Sequence, residues 1–139
     1  MRIMGIDFGD IRIGVAVSDP LGITAQGIET ITWDGGSMKK PAERIRYLAA
    51  QYGAEKIVIG YPINMNGTIG PSAEKVLRFA EILEKKTGLE VVKWDERLTS
   101  VEANRAMHEL QLKTSKKKAT VDKIAAALIL QGYLDSVRK

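Results

Sequence analysis

The first third of the chain carries short apolar runs with a period of two. Residues 2–7 (Arg-Ile-Met-Gly-Ile-Asp) read as a buried strand that ends at Asp7, Phe8-Gly9-Asp10 as a turn, and Arg12–Ser18 as a second strand. Asp19-Pro20-Leu21-Gly22 signals another turn, and a stretch rich in β-branched residues follows over Ile23–Trp33. Three short strands joined by tight turns predict an antiparallel meander.

Beyond Asp34-Gly35-Gly36, where Ser37 is a candidate cap, the period lengthens. Ile45, Leu48, Ala49 and Tyr52 mark one face of a helix that stops at Gly53, and Lys56–Gly60 is a compact buried strand. A loop rich in Pro, Asn and Gly spans Tyr61–Pro71. A second helix then runs from near Ser72 through Val76, Phe79, Ala80 and Leu83 to Gly88. Glu90–Trp94 is a fifth strand, closed by Asp95-Glu96-Arg97. Thr99 and Glu102 fit a capping box for a third helix, with its stripe on Ala103, Ala106, Met107 and Leu110. Val121–Val137 is a last helix, apolar on most faces. Strands four and five each follow a helix and should lie parallel to the first. The pattern predicts an α/β fold: a five-stranded mixed sheet, its first three strands antiparallel, with helices on both faces.

Composition narrows the chemistry. The 139 residues are 45% apolar and 27% charged, ordinary for one globular domain spanning 1–139, and no apolar run approaches the ~20 residues of a membrane span. Asp7 inside the first apolar stretch argues against a signal peptide, so a cytoplasmic location is expected. There is no cysteine and a single histidine, which excludes thiol catalysis and makes a His-based triad or zinc site a poor candidate. The net charge of +4 is concentrated: residues 113–118 hold four lysines and no acid, while the other 133 residues balance 17 basic against 17 acidic groups.

In open α/β sheets the ligand crevice lies at the carboxyl ends of the strands. Asp7 ends strand one and Asp95-Glu96 ends strand five. Asp122 falls in the first turn expected of the last helix, where pairing with the helix dipole is an alternative explanation. Adjacent residues on a strand face opposite ways, so only one of Asp95 and Glu96 should reach the site. Together these positions suit hard oxygen ligands for Mg²⁺ or Mn²⁺, which can activate a water and stabilise the leaving oxygen of a phosphodiester without Cys or His. Asp-x-Gly before a hairpin is also how sugar kinases and actin-like ATPases begin, but that fold needs two such domains.

Four ordered segments carry a resemblance: Gly5-Ile-Asp7-Phe-Gly9-Asp-Ile-Arg12-Ile-Gly14-Val-Ala-Val-Ser-Asp19, Gly60-Tyr-Pro62-Ile-Asn64-Met-Asn66-Gly67, Asp95-Glu96-Arg97-Leu-Thr99-Ser-Val-Glu102-Ala, and Val121-Asp122-Lys-Ile-Ala125-Ala. They resemble the YqgF family, also called RuvX. The resemblance implies a ribonuclease H-like fold related to RuvC resolvases. It also implies a nuclease acting in 5′-end maturation of pre-16S ribosomal RNA, with Holliday junction resolution as another role proposed for the family. It implies Asp7, Asp122 and a carboxylate of Asp95-Glu96 as catalytic and metal-holding residues. Glu96 is favoured because RuvC-like enzymes place a Glu after this strand, with Asp95 as the substitute. One departure stands out: RuvC-type nucleases carry a further acid one turn before the last, where this chain has Ala119.

The remaining polar groups are read around that site. Lys116, Lys117 and Lys118 lead into Asp122 and are candidate phosphate contacts, against the alternative of a solvated loop. Arg12 and Arg97 lie beside acid positions and could clamp phosphate or simply neutralise carboxylates. Asn66, with Asn64 and Gly67, belongs to a loop at the same sheet edge, where backbone amides can meet phosphate, although Asn-Gly by itself means a turn. His108 lies off the apolar stripe, and Trp33 and Trp94 are read as packing residues. The expected partner is nucleic acid, structured RNA ahead of branched DNA. The protein is expected to act as a monomer or weak homodimer with no membrane partner. A catalytically weak nucleic-acid-binding factor is the alternative of another class.

Overall fold

The apolar alternation at the start of the chain becomes β1 (Arg2–Phe8), β2 (Arg12–Ser18) and β3 (Ala25–Thr32) in the computed structural model, which describes residues 1–64, 66–98 and 118–138, the side chains of 118–120 excepted. After β3 come α1 (Lys39–Tyr52), β4 (Ala54–Tyr61), α2 (Pro71–Thr87), β5 (Glu90–Asp95) with a 3-10 turn over Glu96–Leu98, and α3 (Lys118–Val137). The five strands form one sheet in the order β3-β2-β1-β4-β5. The β1–β2 and β2–β3 pairs are antiparallel, while β1–β4 and β4–β5 are parallel, as a helical crossover before each of β4 and β5 requires.

The two faces of the sheet bury different helices. Met4, Ile6, Ile13, Val15, Ile57 and Ile59 meet Ile45 and Leu48 of α1 and Val76, Phe79 and Leu83 of α2. Ile3, Ala16 and Val58, on the opposite pleat, meet Ala126, Ile129, Leu130, Tyr133 and Leu134 of α3. Each fully buried Leu or Ile there is worth roughly 1.5–3 kcal/mol, so both layers are strongly driven. The predicted architecture, helices on both faces included, is what forms. Trp33 packs on Phe8 with ring centroids 5.6 Å apart, and Trp94 lies edge-on to Tyr133 at 6.1 Å, so both tryptophans do pack.

Several local expectations are corrected. α1 is capped by Met38 with no side-chain bond, and Ser37 Oγ only accepts the Lys39 N–H at 3.3 Å. α3 already includes Lys118, three residues ahead of the predicted boundary, where Lys and Ala favour the helix. Asp122 therefore sits in the second turn, too far along to cap the first N–H groups. The helix predicted from Thr99, His108, Lys116 and Lys117 lie outside the described residues. Among the described residues no helix is long and apolar enough to cross a membrane.

Candidate active site

Strand alternation sets the site's floor. Met4 and Ile6 belong to the face covered by α1 and α2, and Ile3 to the α3 face, so Asp7 also points to the α3 side. Its partner across the antiparallel ladder is Gly14, and Gly60 follows the Ile6–Ile59 pair on the parallel side. The two strand neighbours of the Asp7 carboxylate are thus glycines, which opens space on both flanks.

That space is filled by the other two acids. A side chain at Gly60 would place its Cβ 3.2 Å from Glu96 Cδ and 2.7 Å from Ile129 Cδ1. Glu96 follows β5 in the 3-10 turn, which folds its side chain back over Gly60. At Gly14 a Cβ would lie 2.0 Å from the Asp122 carbonyl oxygen, so α3 can deliver Asp122 only over a glycine. Sequence inspection did not single out Gly14 or Gly60 as site residues. The available signal was a glycine within each apolar strand, which marks close approach of another backbone.

Burial and the two neighbouring carboxylates act together on Asp7. Burial first, then Glu96, then Asp122 raise its carboxyl from the ordinary 3.8 to about 7. Glu96 is itself pushed up, by burial and then by Asp95. Asp122 accepts a 2.8 Å hydrogen bond from Arg12 Nε, an ion pair across 110 residues of sequence.

Asp95 plays a different part. It pairs with Tyr61 one step beyond Trp94, on the pleat facing away from α3. Arg97 donates to it from its backbone N–H (2.9 Å), from Nε (3.1 Å) and from Nη2 (2.8 Å), and these bonds hold its carboxyl below the ordinary value. Glu96, not Asp95, is the acid that joins Asp7. Arg12 and Arg97 are both engaged with carboxylates. Asn66 fastens its own turn: Oδ1 accepts the Thr68 N–H at 3.1 Å and the Thr68 hydroxyl at 2.6 Å, with Gly67 at φ 87°. Lys118 is the first residue of α3, one turn before Asp122.

The family model described as "RuvX: Holliday junction resolvase" matches residues 1–136. The chain belongs to the RuvX family. A RuvX-type relative from Acetivibrio thermocellus, named "Putative pre-16S rRNA nuclease", is 54% identical over 140 residues, covering 100% of this chain and 99% of its own. Among solved structures, T. thermophilus RuvC in complex with Holliday junction substrate aligns with a TM-score of 0.59 at 18% identity, over 99% of this chain and 96% of that one. The fowlpox virus Holliday junction resolvase aligns at 0.61 and 14% identity, over 99% and 100%. At such identities the likeness concerns the fold, and it places the RuvX sheet in the ribonuclease H-like class. The resemblance carried by the four sequence segments is therefore borne out.

The donor set fits a hard divalent cation: all oxygen, from three elements, with negative charge in surplus around Asp7. As they stand, no three acid or imidazole groups among the described residues converge closely enough to ligate one ion. Arg12 holds Asp122.

Proposed function

We propose that the chain is a Mg²⁺- or Mn²⁺-dependent nuclease that hydrolyses phosphodiester bonds of structured RNA, in 5′-end processing of pre-16S ribosomal RNA. The observation that carries this reading is the Asp7 carboxyl, raised to about 7 between Glu96 and Asp122 at the carboxyl edge of the sheet. The name borne by relatives at about half identity supports the RNA substrate. A cytoplasmic monomer or weak homodimer is consistent with that role.

In this mechanism Asp7, Glu96 and Asp122 would hold the metal. When bound, the ion supplies a nucleophilic water and neutralises the leaving oxygen. Glu96, whose carboxyl is raised by burial and by Asp95, would be the acid placed to take up a proton beside Asp7. Arg12, beside Asp122, and Arg97, beside Asp95, are candidate phosphate contacts, and Lys116, Lys117 and Lys118 add sequence-independent attraction. Asn66 keeps the β4–α2 loop in shape.

The family description and the resolvase structures favour a second reading, a resolvase acting on four-way DNA junctions. Cleavage of a pre-16S fragment and of a four-way junction, with Mn²⁺, Mg²⁺ or EDTA, separates the two. The reading requires metal-dependent cutting of the RNA that Asp7→Asn abolishes. Cutting that persists in EDTA or in Asp7→Asn overturns it, and preferential cutting of the junction selects the resolvase. No cutting of either by folded, metal-replete protein identifies a binding factor instead.

A further inference from the structure

The position of Arg12 has a consequence for how the site fills. Its Nε is 2.8 Å from Asp122 Oδ2, and it approaches from the first residue of β2, on the same pleat as Gly14. The bond occupies one of five guanidinium donors, and the Nη groups carry the other four in a fork that matches a phosphate. The Arg12 side chain is 36% exposed against 24% for Asp122, so a ligand arriving from solvent meets the guanidinium before the carboxylate.

We propose that Arg12 couples nucleic-acid binding to metal binding: it holds Asp122 until a substrate phosphate draws the guanidinium away and frees the carboxylate to complete the metal site with Asp7 and Glu96. This rests on the metal-dependent reading above and deepens it. Metal and nucleic acid then bind cooperatively, and the coupling is reciprocal: whatever factor RNA adds to metal affinity, metal adds to RNA affinity. The protein would avoid holding a cleavage-competent ion without a substrate. Arg12 acts as a positioning residue, through Asp122.

The test is Mn²⁺ affinity, followed by the EPR signal of free Mn²⁺, for protein alone and for protein saturated with a hairpin RNA, corrected for Mn²⁺ held by the RNA alone. Wild type should bind Mn²⁺ about tenfold more tightly with RNA than without. Arg12→Gln should bind it about two- to fivefold more tightly than wild type in the absence of RNA, as expected for release of a partly exposed ion pair, and gain threefold or less on adding RNA. Arg12→Lys, which keeps the charge but lacks the fork, should stay folded and show a coupling between those of wild type and Arg12→Gln. Loss of a nearby positive charge acting only through space would tighten Mn²⁺ binding equally with and without RNA. An RNA-to-free ratio in Arg12→Gln equal to that of wild type therefore overturns the proposal. If wild type binds no Mn²⁺ in either state, the metal-dependent reading itself fails.

Discussion

Asp7 on β1 and Gly14 on β2 face each other across the antiparallel ladder, and the missing side chain of Gly14 is what admits the Asp122 backbone beside the Asp7 carboxylate. On the other flank Gly60 does the same for Glu96. The site is thus built from acids and from the voids next to them.

These voids can be filled. Gly60→Ala should fold, because the atoms 2.7–3.3 Å from the new methyl are side-chain ends of Ile129 and Glu96, but it should displace Glu96 and lower cleavage at least about tenfold. Gly14→Ala meets backbone at 2.0 Å, so α3 must move, and a stability loss above roughly 3 kcal/mol is expected. Denaturant unfolding and cleavage rates of the two variants check this ranking; equal stability losses would contradict it.

Asp7 should limit stability at neutral pH. Its folded value of about 7 lies above the ordinary 3.8, so between these values the folded chain holds a proton that the unfolded chain has released. Stability therefore falls as pH rises from about 4 to 7 and levels off above, by on the order of 2–4 kcal/mol. Asp7→Asn removes this term. Its melting temperature in EDTA should exceed that of wild type by at least about 5 °C at pH 8 and converge with it near pH 4. A variant equally or less stable than wild type at pH 8 would show that Asp7 is not crowded.

Glu96 and Asp95 should behave differently despite being adjacent. Glu96→Gln should cost about a hundredfold or more in cleavage rate at fixed Mn²⁺. Asp95→Asn removes only a solvent-screened ion pair with Arg97 and should cost less than tenfold. A larger loss in Asp95→Asn would exchange their roles.

Much of this was legible in the sequence, for physical reasons. Asp7 stood out because a carboxylate among apolar strand residues needs a reason to be there, and strand and helix periods carried the topology. The choice between Asp95 and Glu96 was not legible from residue types alone, because it depends on which pleat of β5 faces α3 and on the 3-10 turn that folds Glu96 back over Gly60. The Arg12–Asp122 pair was equally hidden, since only the packing of α3 across β2 brings positions 110 apart together. For Asp122, a first-turn helix acid was the alternative to a site acid, and with Lys118 already helical it lies beyond the first turn.

The lysines leading into α3 are tested through salt. Replacing Lys116, Lys117 and Lys118 by Ala should weaken RNA binding and flatten the slope of log affinity against log salt by about 0.7 for each lysine that contacts phosphate. An unchanged slope would assign the segment to solvent.

The most direct measurement is anomalous diffraction at the manganese edge from crystals equilibrated with Mn²⁺ and a short RNA. The account predicts a peak bonded to the carboxylates of Asp7 and Glu96, with Asp122 turned from Arg12 towards it. Manganese bound elsewhere, with Asp7 and Glu96 bare in a preparation that cleaves RNA, would contradict it.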